Sequence, residues 1–179
     1  HGDAWVPADE GFVLVCNHES HYDGVTLCAA FPREMSIVAK KELFAIPFLG
    51  WGFSALNFIA LDRKRRGEAM SEMGRATRFM RDGGVVLIFP EGRRSGTGEL
   101  LEFKKGAVVS AIEAQVPIVP VAVAGTRAVL PPGHVLVQPG RVHLEMGAPI
   151  PTAGLTLEDR HALNDRVRAS VDELRQRAR

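Results

Sequence analysis

Apolar and polar positions in this chain are arranged in blocks. Two uninterrupted apolar runs, Phe12–Cys16 (FVLVC) and residues 85–89 (VVLIF), each stop abruptly in a polar segment. An apolar run of that length bounded by turn residues predicts a strand buried on both faces. Residues 35–39 (MSIVA) and 57–61 predict two further strands, and residues 116–124 (VPIVPVAVA) another. Pro117 and Pro120 restrict that last strand, since proline is tolerated only at a strand's start, at an edge or at a bulge. Residues 141–146 (RVHLEM) alternate with period two and predict a half-exposed strand.

Helical patterns fall between the strands. Residues 24–31 follow Asp23, whose charge suits a helix N-terminus. Over residues 67–82, Ala69, Met70, Met73, Ala76, Thr77 and Met80 recur at helical spacing until Gly83-Gly84 supplies a stop. Residues 107–114 predict a third helix. Thr156-Leu157-Glu158-Asp159 has the form of a capping box, and Leu163, Val167, Val171 and Leu174 then form the apolar stripe of an Arg-rich final helix. This alternation predicts one α/β domain over residues 1–179, with a mostly parallel central sheet flanked by helices on both faces.

Composition narrows the picture. At 46% apolar and 24% charged residues the chain is neither disordered nor fibrous, and its net charge of +1 argues against a nucleic-acid partner. Cys16 and Cys28 lie in apolar stretches without metal-type spacing, and read as reduced core residues of a cytosolic or cytosol-facing protein. The chain starts at His1 rather than Met, so it is expected to be a fragment of a longer polypeptide whose anchoring segment precedes it. Residues 43–61 carry no charge over nineteen positions, between Lys40-Lys41 and Arg63 to Arg66. Pro47, Gly50, Gly52, Ser54 and Asn57 interrupt them. A broken apolar stretch between basic flanks fits a segment lying on an anionic membrane surface. Two short helices covering a cleft fit as well, and a true span fits least.

The polar segments carry the chemistry, because ligands in open α/β sheets collect beyond the carboxyl ends of strands. After the first run come Asn17-His18-Glu19-Ser20-His21-Tyr22-Asp23; after the second, Pro90-Glu91-Gly92-Arg93-Arg94-Ser95. On a straight helix His18 and Asp23 would lie about 140° apart. A carboxylate–imidazole bond therefore requires a turn, which Asn17 to Ser20 suit. An Asp bonded to one ring nitrogen fixes the tautomer and supports the imidazolium formed when the other takes a proton. Three other readings fit the same residues: an incidental surface histidine, a metal site built from His18, Glu19, His21 and Asp23, and a nucleophile at Ser20. The last lacks a Gly-x-Ser-x-Gly elbow. In the second segment Gly92 lets a ligand approach the main chain. Arg93 and Arg94 offer planar forks that match phosphate. Lys104-Lys105-Gly106 and Arg63 add positive charge, although such charge runs are commonly solvated faces. No nucleotide P-loop is present.

Together these residues resemble the glycerolipid acyltransferases, the lysophosphatidate (1-acylglycerol-3-phosphate) acyltransferases and their relatives. The family's Asn-His-x-x-x-x-Asp motif is matched by Asn17, His18 and Asp23, with Ser20 in its usual place. Phe58 to Arg63 looks like the second block and Phe89 to Ser95 like the third, with Arg93 where the family has Thr. Val116, Pro117, Ile118, Val119, Pro120 and Val121 match the fourth. The resemblance implies fatty acyl transfer from acyl-CoA or acyl-carrier protein to the hydroxyl of a lysophospholipid. His18 would be the base and Asp23 its orienter, with no metal, no cofactor beyond the co-substrate and no acyl-enzyme. Arg63, Glu91, Gly92, Arg93, Arg94, Ser95 and Lys105 would hold the acceptor, with Glu91 bonding a hydroxyl or bracing an Arg. Val116 to Val121 would border the acyl site. The implied setting is the cytoplasmic face of the cell membrane. Arg93 adds charge at the phosphate site and leaves room for a different lysolipid or a glycolipid acceptor. A catalytically silent lipid-binding module is the remaining alternative.

Overall fold

The computed structural model describes residues 6–7, 9–47, 49–55, 58–62, 66–134 and 136–178, excluding the side chains of 49, 66 and 68–71. Arg63, Phe48 and Asn57 lie outside the described residues. The strands are β1 (Phe12–Cys16), β2 (Met35–Lys40), β3 (Ile59–Leu61), β4 (Val85–Ile88), β5 (Ile118–Ala124) and β6 (His143–Met146). They form one sheet in the order β3-β2-β4-β1-β5-β6. The pairings among β1 to β5 are parallel, and β6 runs antiparallel on β5. The helices are α1 (Tyr22–Ala30), α2 (Leu49–Ala55), α3 (Arg66–Arg81), α4 (Gly106–Ala114), α5 (Thr126–Val129) and α6 (Arg160–Arg177).

The apolar runs are continuous because both faces of the sheet are covered. Val13, Val15, Val38, Val86, Ile88 and Ile118 point to one side, against Ala76 and Met80 of α3, Val108 and Ala111 of α4, and Leu163, Val167 and Val171 of α6. Phe12, Leu14, Cys16, Ile37, Leu87, Val119 and Val121 point to the other, where α1 contributes Leu27. Helices thus lie on both faces, and the stripe read along the last helix is buried. The capping box at Thr156 also forms, opening a 3-10 turn (Leu157–Asp159) that leads into α6.

Pro120 lies within β5, at a bulge. The ladder with β6 begins at Val121↔Met146, while Ile118 bridges Ile150. Residues 119–120 therefore oppose residues 147–149, two against three. Proline's missing N–H falls at this break, where only its carbonyl is needed, accepting from Gly147 N–H at 2.9 Å.

Two expectations are corrected. The first helix starts at Tyr22, and the Asp23 carboxylate turns back to the preceding loop rather than capping the helix. Cys16 is buried, as expected, but Cys28 is exposed on α1. Residues 41–45 and 49–55 form a 3-10 turn and a short helix, and no helix among the described residues is long and apolar enough to cross a membrane. Trp51 and Ile46 stand exposed on this segment.

Candidate active site

β1 has β4 on one side and β5 on the other, so the two motifs, about seventy residues apart in sequence, emerge side by side. The register pairs Val15 with Ile88, which brings His18 and Glu91, each three residues further on, to the same level. His18 N–H donates to Glu91 Oε1 (2.7 Å), and Ser95 N–H donates to the His18 carbonyl (2.8 Å). The backbone of His18 is therefore held by the other motif.

Its side chain is held by its own. The turn expected between His18 and Asp23 forms, and Nδ1 lies 2.7 Å from Asp23 Oδ2. A carboxylate only accepts, so Nδ1 carries the hydrogen and the neutral ring keeps its lone pair on Nε2. Phe89 stacks on the imidazole with ring centroids 4.2 Å apart. Asp23 is fully buried, whereas the His18 side chain is 20% exposed, so the ring is the part of the pair that a ligand can reach. Asp23 Oδ2 also accepts from Glu19 N–H (2.8 Å) and Ser20 N–H (2.9 Å), and Oδ1 accepts from the Thr126 hydroxyl. Buried polar groups demand such partners.

Asn17 and Ser20 of the first motif reach the end of β5 and the segment that follows it. Asn17 Nδ2 donates to the Val123 carbonyl (2.9 Å), while Val123 N–H donates to Asn17 Oδ1 (2.8 Å). Ser20 Oγ donates to the Leu130 carbonyl (2.8 Å). Asn17, Ser20 and Asp23 are therefore fastened to residues 123–130, whereas His18 presents a ring nitrogen with no partner among the described residues. Sequence reasoning named Asn17 and Ser20 but found neither Thr126 nor the clamp. Gly125-Thr126 directly follows an apolar strand, the same strand-end signal that marked both motifs, and was the available clue.

The second motif is built differently. Gly92 adopts φ +70°, and a Cβ there would lie 3.1 Å from Lys104 Cε and Nζ, so the glycine leaves space for this ammonium across the turn. Lys105 instead points to His161 of α6, Nζ to Nε2 3.3 Å. Of the two lysines, Lys104 is therefore the one beside the glycine turn. Arg93 is exposed and Arg94 half-buried, and neither guanidinium has a hydrogen bond or ion pair with a described residue. Arg127, not anticipated from sequence, donates from Nη1 to the Ser95 carbonyl at 3.4 Å. Ser95 is buried and its hydroxyl has no described partner.

Glu91 also departs from expectation. It is buried, and its oxygens accept from backbone N–H groups, Oε1 from His18 and Oε2 from Leu101 (2.9 Å), rather than bracing an arginine. Burial raises its carboxyl above the usual carboxylate range, and those two N–H groups pull it partly back. His21 is shifted the opposite way, first by desolvation and then by the charges of Arg94 and His18. Residues 116–121 line the core. Val13 pairs with Ile118 and Cys16 with Val121, so this stretch rises to the level of the end of β1 and is buried apart from the partly exposed Pro117. Among the described residues no group of three His, Cys, Asp or Glu side chains is arranged to hold a metal.

Residues 1–124 match the model of the family described as Acyltransferase. The chain belongs to the acyltransferase family. It is 35% identical over 166 residues to human 1-acyl-sn-glycerol-3-phosphate acyltransferase alpha, covering 92% of this chain and 59% of that protein. The 1-acyl-sn-glycerol-3-phosphate acyltransferase of Saccharomyces cerevisiae is 34% identical over 173 residues, 94% of this chain and 57% of its own length. The chain thus spans well under two thirds of these relatives. The crystal structure of the 1-acyl-sn-glycerophosphate (LPA) acyltransferase PlsC from Thermotoga maritima aligns with a TM-score of 0.80 at 32% identity, covering 100% of this chain and 71% of that one. The family match ends at residue 124, so Thr126, Arg127 and Leu130, which bond the two motifs, lie beyond the matched region.

Proposed function

We propose that this acyltransferase moves a fatty acyl group from acyl-CoA or acyl-carrier protein to the free hydroxyl of lysophosphatidate, giving phosphatidate. One observation carries the reading: a histidine held at Nδ1 by a buried aspartate stands beside a turn whose guanidinium groups have no partner among the described residues. The names of the relatives point to the same acceptor. His18 Nε2 takes the proton of the acceptor hydroxyl, and the oxygen attacks the thioester carbonyl carbon. The C–S bond breaks, and the leaving thiolate takes the proton back from the imidazolium. Thioesters are activated acyl donors, so a base and positioning suffice, and general-base assistance of this kind is worth roughly 10²–10⁴ in rate. The step as written needs neither a metal nor an acyl-enzyme.

Arg94, with Arg93 and Lys104 at its rim, takes the acceptor phosphate as a charge-assisted ligand. Arg63 stays a candidate for the same task. Glu91 does not face that anion; it holds His18 in place. The acceptor lives in a membrane, and the exposed Trp51 and Ile46 are proposed to rest on its cytoplasmic surface. In the test, the protein is given acyl-CoA and lysophosphatidate and CoA release is followed. His18→Ala is expected to abolish release, and full turnover by that variant would sink the base assignment. Lysolipid binding without turnover for any donor would favour a silent module, and faster turnover of another lysolipid would move the acceptor. Unchanged liposome association after Trp51→Glu would end the membrane-surface reading.

A further inference from the structure

We propose that Thr126 is a positioning residue of this site, fixing the plane of the Asp23 carboxylate from which His18 is oriented; the inference rests on the reading of His18 as the base. The three donors on Asp23 Oδ2 all come from residues 18–20, the same turn that carries His18. All three are local to that turn, and none comes from a separate element. Among the described residues, Oδ1 has one partner, the Thr126 hydroxyl, which arrives from another part of the fold. A carboxylate held through one oxygen can pivot about its Cβ–Cγ bond. A donor from a separate element on the second oxygen removes that freedom.

The element that brings this hydroxyl is itself constrained. Asn17 takes both backbone groups of Val123, which sets the end of β5 against the end of β1. Gly125 then turns at φ +92°, where a Cβ would lie 2.2 Å from the Arg141 carbonyl oxygen, so the turn at this position requires glycine. Thr126 follows, fully buried, and Ser20 fastens the far end of the segment at Leu130. A β-branched side chain has few χ1 choices, which keeps the hydroxyl aimed. The consequence falls on turnover, because Thr126 touches neither substrate nor the imidazole. As His18 becomes an imidazolium, its charge is met by a carboxylate already in position.

The test assays the protein with acyl-CoA and lysophosphatidate as wild type, Thr126→Val, Thr126→Ser and His18→Ala. Valine is expected to lower kcat roughly 10-fold, the scale of one hydrogen bond to a charged group, with acceptor KM unchanged. Serine is expected to restore kcat to within about twofold. Wild-type kcat for Thr126→Val beside an inactive His18→Ala overturns this proposal alone; full turnover by His18→Ala overturns the base reading as well. A valine defect that serine does not relieve marks a packing fault and also overturns it. If the valine protein does not fold, Thr126→Ala is read in its place with the same expectations.

Discussion

The two motifs that meet at the carboxyl ends of β1 and β4 differ in where their polar atoms are engaged. In the first, Asn17, Ser20 and Asp23 are buried and bonded to residues 123–130, leaving one imidazole nitrogen open. In the second, Arg93 and Arg94 reach outward without a described partner, and Lys104 lies against a glycine. A base must be held at one angle to be useful, and rigidity comes from satisfied hydrogen bonds on separate elements. An anion site must keep its donors unused until the ligand arrives. On the proposed reading, open cations and satisfied carboxylates divide the labour of one site, and Glu91, bonded to two backbone N–H groups, belongs with the first group although it sits in the second motif.

The largest test sets one residue of each region against the other. Asp23→Asn is expected to lower kcat by about 10²–10⁴ with little change in acceptor KM, because the imidazolium loses its partner. Arg94→Met is expected to raise acceptor KM about 10- to 100-fold and leave kcat nearly intact, the scale of a charge-assisted hydrogen bond. Steady-state kinetics with lysophosphatidate separates the two. If both variants fell in kcat alone, the division of labour would be wrong.

Stability gives the next contrast. Asn17→Ala leaves the buried N–H and C=O of Val123 without their partner and is expected to cost about 2–4 kcal/mol in urea unfolding. Arg93→Ala removes an exposed side chain with no described partner and is expected to change stability by less than about 0.5 kcal/mol. A comparable loss from Arg93→Ala would mean that the second motif is braced after all.

Much of this architecture was legible beforehand. Continuous apolar runs announced strands buried on both faces, the Thr156 box and the stripe from Leu163 to Leu174 appeared where the pattern placed them, and His18 met Asp23 through the expected turn. What stayed hidden depended on direction rather than residue type. Lys104 and Lys105 are chemically identical, and only the start of α4 at Gly106 decides which of them turns to Gly92 and which to α6. Glu91 looked like a ligand contact because its partners are backbone N–H groups, which every sequence supplies and none displays. Thr126 lies 103 positions from Asp23, and only the parallel pairing of β1 with β5 joins them. Cys28 read as core because its apolar neighbours hid the solvent-facing side of α1.

The lysine pair sharpens the picture on a smaller scale. Lys104→Met is expected to raise acceptor KM about 2- to 5-fold, as befits an exposed charge. Lys105→Met is expected to leave KM unchanged, since its ammonium faces His161. Equal effects from both would show that the turn collects charge generally rather than through the Gly92 opening.

The smallest expected effect concerns Glu91, the residue that crosses the comparison. Burial raises its folded pKa above the ordinary carboxylate value of 4.5, so the folded protein binds this proton more tightly than the unfolded chain does. Stability rises with pH only where the unfolded state holds more protons, and here the sign is reversed. The contribution of Glu91 is therefore full below pH 4.5 and is lost as pH rises through the raised folded value. Glu91→Gln removes this titration while keeping one carbonyl acceptor for the His18 or Leu101 N–H. The stability of wild type relative to Glu91→Gln is thus expected to fall as pH rises through that window and to level off above it, in thermal melts across mildly acidic pH. A relative stability that instead rose with pH would mean that the two N–H groups outweigh burial, and that Glu91 is held by its charge.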